Sequence, residues 1–125
     1  MLALNTLTPE QEMPYTTHFY GEFISGQSVS LAIDETDIGL LTYTIDDDLN
    51  AHIRAIFILP DYRGKGYGDF LTRSMMNLFT LSNMGVVIDY PDDNAYFSKF
   101  GFAATPQGLY VSPADIVFPS LCGNH

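Results

Sequence analysis

The chain has 125 residues, of which 46% are hydrophobic and 14% aromatic, and a net charge of −10 from 15 acidic and 5 basic side chains. That length and composition fit one globular domain, residues 1–125, and exclude a disordered chain, which has too little apolar surface to order itself. So acidic a chain lacks the clustered Lys and Arg of a nucleic-acid binder; its charge either favours a cationic amine or only keeps the protein soluble.

The N-terminus, Met1-Leu2-Ala3-Leu4-Asn5, has neither the basic region nor the long apolar stretch of a signal peptide. Leu2 to Leu7 reads as a short first strand. Thr8-Pro9-Glu10-Gln11-Glu12 reads as a helix start, with a Thr cap, Pro at the first position and acids at the positive end of the dipole. Pro14 is expected to limit that helix or to begin a second piece. From Tyr15 to Gly26 the spacing is only partly helical. Val29–Ile33, a polar turn at Asp34–Asp37, and Ile38–Ile45 read as a β-hairpin. Asp46-Asp47-Asp48 is a second acidic turn, and His52–Leu59 the next strand, closed by Pro60.

Between Gly66 and Ser82 the period changes. Tyr67, Phe70, Leu71, Ser74, Met75, Leu78, Phe79 and Leu81 recur at helical spacing, and Asn83 or Gly85 can supply a left-handed cap. Val86–Tyr90 is a short apolar strand fit for burial on both faces. Pro91-Asp92-Asp93 opens a second helix to about Phe100. Phe102–Ala104 and Leu109–Val111 suit a last hairpin around Pro106-Gln107-Gly108. No apolar run approaches the ~18 residues that span a bilayer, so no membrane partner is expected. The lone cysteine, Cys122, cannot form an internal disulfide, and a cytoplasmic location is expected. The succession of elements is α/β with a mixed sheet.

Three glycines at alternate positions, Gly64, Gly66 and Gly68, lie between a strand and a helix. Glycine lets backbone approach a ligand, and a helix start offers unsatisfied N–H groups to an anion. Arg63 and Lys65 add positive charge. A phosphate or pyrophosphate ligand follows, although a flexible loop that merely starts a helix has the same composition. The P-loop pattern fails because Gly66 stands where Ser or Thr is needed, and the dinucleotide fingerprint fails on spacing.

The run Pro60-Asp61-Tyr62-Arg63-Gly64-Lys65-Gly66-Tyr67-Gly68 resembles the acetyl-coenzyme A motif of the GCN5-related N-acetyltransferase (GNAT) superfamily, Arg/Gln-x-x-Gly-x-Gly/Ala, matched by Arg63, Gly66 and Gly68. Downstream, Tyr96-Phe97-Ser98-Lys99-Phe100-Gly101-Phe102 is similar to the family's second signature, an aromatic-x-Lys-x-Gly-Phe run. The resemblance covers Ile53 to Phe102 well and the region before Gln27 weakly. It implies an acyl-CoA N-acyltransferase fold, with a mixed central β-sheet flanked by helices. Its strands around residues 53–59 and 86–89 would splay.

Further roles follow from the same resemblance. The amides of Gly64, Lys65, Gly66, Tyr67 and Gly68 would hold the coenzyme pyrophosphate, with Arg63 beside them. Phe57, Ile58 and Leu59 would pair with the pantetheine arm. His52 stands where some relatives carry a general base, and an imidazole suits that work near neutral pH. Arg54 shares its strand face and would oppose a charge on the ring. The plainer reading of His52 is an exposed strand-end residue. Phe97 occupies the position where the family commonly places a Tyr acid. Either Tyr96 substitutes, or no protein acid is used and Phe97 packs beside the coenzyme.

No metal is expected, because the acidic runs come without a spaced ligand set. His18 reads as a structural histidine, and Cys122 and His125 have no partner in view. The implied function is acetyl transfer from acetyl-CoA to a primary amine of a small molecule or peptide, by direct attack in a ternary complex. The alternative is a catalytically weak acetyl-CoA sensor that controls a partner protein. A homodimer stays open as a way for a short chain to complete its acceptor pocket.

Overall fold

A computed structural model of the chain describes residues 2–88, 97, 99–106 and 108–118. Among them the elements run β1 (Leu2–Thr6), α1 (Pro9–Tyr20), β2 (Gln27–Ile33), β3 (Thr36–Ile45), β4 (Ala51–Ile58), a 3₁₀ turn (Pro60–Tyr62), α2 (Tyr67–Leu81), β5 (Val86–Ile88), β6 (Ala103–Thr105) and β7 (Gly108–Val111). The strands form one mixed seven-stranded sheet in the order β1-β2-β3-β4-β5-β7-β6. The chain forms two compact units, residues 1–44 with 53–74 and residues 45–52 with 75–125.

In the first unit, α1 starts as its sequence requires. Thr8 is the N-cap, Pro9 takes the first position, and Gln11 Oε1 accepts the Thr8 N–H at 2.9 Å. Gly21, at φ 83°, closes it in the left-handed region, its N–H donating to Thr17 O at 3.0 Å. Pro14 does not divide the helix, contrary to the expectation from sequence. Proline there removes one backbone donor, but both ends are capped and the far turn is anchored. Phe19 is buried with Leu7 and Leu40, and Tyr20 donates its hydroxyl to Leu40 O at 3.0 Å.

Strands β2 and β3 form the expected hairpin on a tighter turn than Asp34–Asp37. Ile33 pairs with Thr36, and only Asp34 and Glu35 turn, at φ 48° and 73°. Two successive positive-φ residues match the right-handed twist of the flanking strands, and Asp tolerates that region. The register slips once, between Leu31 and Ala32. Strand β1 adds to β2 antiparallel, Leu4 opposite Leu31. Inside, Ser28 Oγ, Thr42 Oγ1 and the Tyr20 hydroxyl satisfy one another at 3.0 to 3.1 Å, so their burial leaves no polar group stranded.

Helix α2 buries Leu71, Thr72, Met75, Met76 and Phe79, while Phe70, Leu78 and Leu81 are exposed. The buried stripe follows the helical period but is rotated from the apolar set read in the sequence, and it includes a threonine. Thr72 is tolerated because its hydroxyl donates to Gly68 O at 2.9 Å. Of the two cap candidates, Asn83 serves, at φ 57°. Its N–H donates to Thr80 O at 3.0 Å and that of Met84 to Phe79 O at 2.9 Å, a Schellman pair.

In the second unit, β5 and β6 both pair antiparallel with β7; Val87 faces Tyr110, and Ala104 faces Leu109. Its core holds Phe79, Val86, Ile88, Phe100, Leu109 and Val111. The helix expected from Pro91 to about Phe100 falls largely outside the described residues, as do Tyr96, Gln107, Cys122 and His125.

Candidate functional site

The glycine loop lies in the first unit, between β4 and α2. After β4, the Tyr62 N–H donates to Leu59 O at 2.9 Å and the Arg63 N–H to Pro60 O at 3.2 Å, so the chain turns tightly. Gly64 and Gly66 then take φ 78° and 87°, where other L-residues are strained. A Cβ built at either position would meet no atom within 4 Å. These glycines are therefore required by conformation and face open space. Gly66 O accepts the Phe70 N–H at 2.9 Å, which makes Gly66 the N-terminal cap of α2. The first N–H groups of a helix have no intrahelical acceptor and favour an anion. The loop thus fits a phosphate-bearing group: backbone donors, no side chain in the way, and the exposed Lys65 cation. At Gly68 a Cβ would lie 3.6 Å from Ile58 Cγ1, ordinary contact, which fits a motif that accepts Gly or Ala there.

Arg63 behaves differently from a free cation. Its Nε donates to Ile58 O at 2.7 Å, and its guanidinium carbon lies 4.8 Å from the centre of the Phe57 ring. The residue that opens the motif therefore ties the loop to the end of β4. The Leu59 N–H donates to Ile38 O at 2.8 Å. N–H groups alternate in direction along a strand, so that of Ile58 points away from β3. Phe57 packs edge-on against Phe19 and Tyr20, at 6.2 and 6.5 Å between centroids. Nearby, a pocket of about 260 Å³ is lined by Pro14, Tyr15, His18, Phe19 and Asp37. The Tyr15 hydroxyl donates to Asp37 Oδ2 at 2.9 Å, and that bond with the carboxylate raises the Tyr15 pKa. His18 is exposed, edge-on to Phe19 at 5.2 Å.

His52 lies in the second unit, at the start of β4, half-buried. Its Nε2 is 2.7 Å from Asp46 Oδ2. The sequence set Arg54 beside this ring; the structure adds a carboxylate that sequence reasoning missed. Asp46 is itself fixed, its Oδ1 accepting the N–H groups of Asp48 and Asn50, both at 2.9 Å. The Asn50 amide first, and the His52 ring second, hold the Asp46 carboxyl below its ordinary pKa. An Asp whose side chain folds back onto its own turn is a recognisable signal, present in Asp46-Asp47-Asp48-Leu49-Asn50.

In the described part of the second signature, Phe97 and Phe100 are packed in the interior of the second unit and Gly101 lies against backbone. Phe97 is buried, its ring 6.0 Å from that of Phe102 and edge-on to it. Phe100 is fully buried, and its carbonyl accepts the Val117 N–H at 2.9 Å. Gly101, at φ 101°, is required twice over, because a Cβ there would collide with the Asp115 carbonyl oxygen. Among the described residues no group of three or more His, Cys, Asp or Glu side chains could hold a metal ion, and no helix is long and apolar enough to cross a membrane.

A profile of the family described as "Acetyltransferase (GNAT) domain" matches residues 25–104. The chain is 27% identical over 74 residues to GCN5-related N-acetyltransferase 2, chloroplastic, of Arabidopsis thaliana, covering 58% of this chain and 29% of the relative. It therefore spans less than a third of that protein's length. Its fold is similar to the ribosomal-protein-S18-alanine N-acetyltransferase of Escherichia coli, with a TM-score of 0.68 at 15% identity over 88% of each chain. It is also similar to a GNAT family acetyltransferase of Brucella melitensis in complex with acetyl-CoA. There the TM-score is 0.66 at 16% identity, covering 90% of this chain and 88% of the other. The profile match spans well over half the sequence and takes in the whole strand, loop and helix just described, so the chain belongs to the GNAT acetyltransferase family.

Proposed function

We propose that this chain is an N-acetyltransferase, a single catalytic domain that moves an acetyl group from acetyl-CoA to a primary amine of a small molecule or peptide. The observation that carries the reading is the pair of positive-φ glycines that open onto empty space at the head of α2, in a chain of this family. The amides of Gly64 to Gly68 bind the pyrophosphate, and Lys65 adds charge. Phe57, Ile58 and Leu59 line the pantetheine arm, and Ile58 offers the N–H turned away from β3. Arg63 holds loop and strand together.

Bound acetyl-CoA supplies the thioester that the amine attacks. An ammonium has no lone pair to attack with, so a base must take its proton; His52 fills that role. Direct attack is favoured because the described residues include no cysteine thiol to carry the acetyl group. Phe97 has no proton to give the departing thiolate. Tyr96 donates one, or water does, since a thiol pKa of about 8.5 makes thiolate a fair leaving group. The acidic surface, net charge −10, favours a cationic amine, and the cytoplasm supplies both substrates.

The test pairs calorimetric acetyl-CoA binding with thiol release across an amine panel, for the wild type and Gly66→Val. The wild type binds and turns over. Gly66→Val keeps its circular dichroism spectrum and loses affinity by about a hundredfold, some 3 kcal/mol, because the added side chain stands in the space open to the ligand. Unchanged affinity in Gly66→Val contradicts the site. Tight binding by the wild type without amine-dependent thiol release favours the sensor reading instead, for which the proton-less Phe97 speaks.

A further inference from the structure

We infer that the pocket lined by Pro14, Tyr15, His18, Phe19 and Asp37 binds a small organic ammonium carried on an apolar body, with the Asp37 carboxylate as its counter-charge. The inference goes beyond the acetyl-transfer reading. It concerns a cavity whose lining includes no residue of the glycine loop, and it holds whether or not the bound amine is acetylated. All five lining residues belong to the first unit.

Two elements build the pocket. On α1, Pro14 and His18 stand one turn apart, and so do Tyr15 and Phe19, so the four form two neighbouring rows. Asp37 comes from the start of β3, where the register slips. Leu31 faces Gly39 and Ala32 faces Asp37, which leaves Ile38 without an opposite residue. An extra residue of this kind re-aims the side chains beside it. Ile38 is fully buried, whereas Asp37 is half-buried and lines the pocket.

Asp37 is engaged on one oxygen only. Its Oδ2 accepts the Tyr15 hydroxyl at 2.9 Å, and among the described residues Oδ1 has no partner. A carboxylate oxygen with open lone pairs attracts a charged donor. The rings of Tyr15 and Phe19 supply apolar wall and a negative face to which a cation is drawn. No hydrogen bond holds the His18 ring among the described residues, and when neutral it offers a second acceptor. Other ligand classes fit worse. An anion would meet the carboxylate. A hard divalent cation takes about six to eight oxygen ligands, and no group of three or more His, Cys, Asp or Glu is present among the described residues. At about 260 Å³ the pocket is just under the roughly 300–1,000 Å³ of common ligand clefts, which suits one ring with a short arm. The net charge of −10 draws cations towards the protein.

The test uses the full chain without acetyl-CoA, so its failure is distinguishable from that of the acetyl-transfer reading. Phenethylamine and its neutral counterpart, phenethyl alcohol, are titrated by calorimetry into the wild type and Asp37→Asn. The Asn carbonyl oxygen can keep the Tyr15 hydroxyl, so the pocket survives while the charge goes. Amide shifts in the ¹⁵N-labelled wild type locate the binding. The wild type is expected to bind the amine saturably and at least about tenfold more tightly than the alcohol, with the largest shifts at Tyr15, His18 and Asp37. Asp37→Asn loses that preference and keeps its alcohol affinity within about twofold. Equal binding of amine and alcohol, no saturable amine binding, shifts that spare those three residues, or an undiminished preference in Asp37→Asn overturns the inference. If Asp37→Asn does not fold, the wild-type preference and its shifts decide alone. Acetyl-CoA is then added to separate the two sources of such an amine: an acceptor is acetylated, and an effector is released unchanged.

Discussion

Two positive-φ glycine sites in this chain look alike by residue type and differ in what lies beside them. Gly64 and Gly66 face no atom within 4 Å, whereas the space beside Gly101 is filled by the Asp115 carbonyl. The loop glycines keep side chains out of a space that the protein itself does not occupy. Gly101 keeps a side chain out of a space that backbone occupies. The first arrangement is what a ligand site needs and the second is what a packed turn needs, so one residue type suits open space in one place and close packing in the other.

That contrast can be broken by substitution. The largest effect belongs to Gly101→Val, which combines an unfavourable φ with a backbone collision. It should cost about 3 kcal/mol or more in stability, read by urea unfolding, and leave the remaining folded protein with its acetyl-CoA affinity. Gly66→Val should show the opposite profile, a large loss of affinity with only about 1–2 kcal/mol of strain. Gly68→Ala sharpens the comparison at the small end, since its Cβ would make an ordinary 3.6 Å contact with Ile58. Helix propensity then favours the variant by up to about 1 kcal/mol, with coenzyme affinity within about threefold. A severe affinity loss in Gly68→Ala would mean that the backbone approach extends two residues further than the open space does.

The same division explains what could be read in the sequence. Features written in backbone requirements were legible: the Thr8-Pro9 start of α1, the strand ending before Pro60, the glycines before α2, and a left-handed cap at Asn83 or Gly85, of which Asn83 serves. Each depends on local φ or on a missing donor, which residue type reveals directly. Features set by tertiary contact were not. Pro14 predicts a break, and only the burial of Phe19 and the hydrogen bond from Tyr20 explain why α1 runs on. The sequence pattern places Phe70, Leu78 and Leu81 in the apolar stripe of α2, yet these are exposed, because tertiary packing selects the face and the helix alone does not. Arg63 carries a charge that suggests a ligand contact, and geometry ties it instead to Ile58 O and Phe57.

The candidate site divides along the same line. The conformation of its glycine loop was legible because glycine spacing records it. In the sequence Asp46 is one member of an acidic turn, and three successive aspartates give no indication of which one folds back. Only the positions of Asp48, Asn50 and His52 around it distinguish Asp46 from its neighbours. A side chain whose meaning comes from its partners is read from coordinates, and a glycine whose meaning comes from φ is read from sequence.

The central claim, that the amides at the head of α2 hold the coenzyme, is tested most directly by titrating acetyl-CoA into the ¹⁵N-labelled protein and following backbone amide resonances. The account predicts saturable shifts that are largest for Gly64, Lys65, Gly66, Tyr67 and Gly68, with the Ile58 amide also moving. Saturation that leaves those five amides in place while others shift, or the absence of any saturable change, would contradict it.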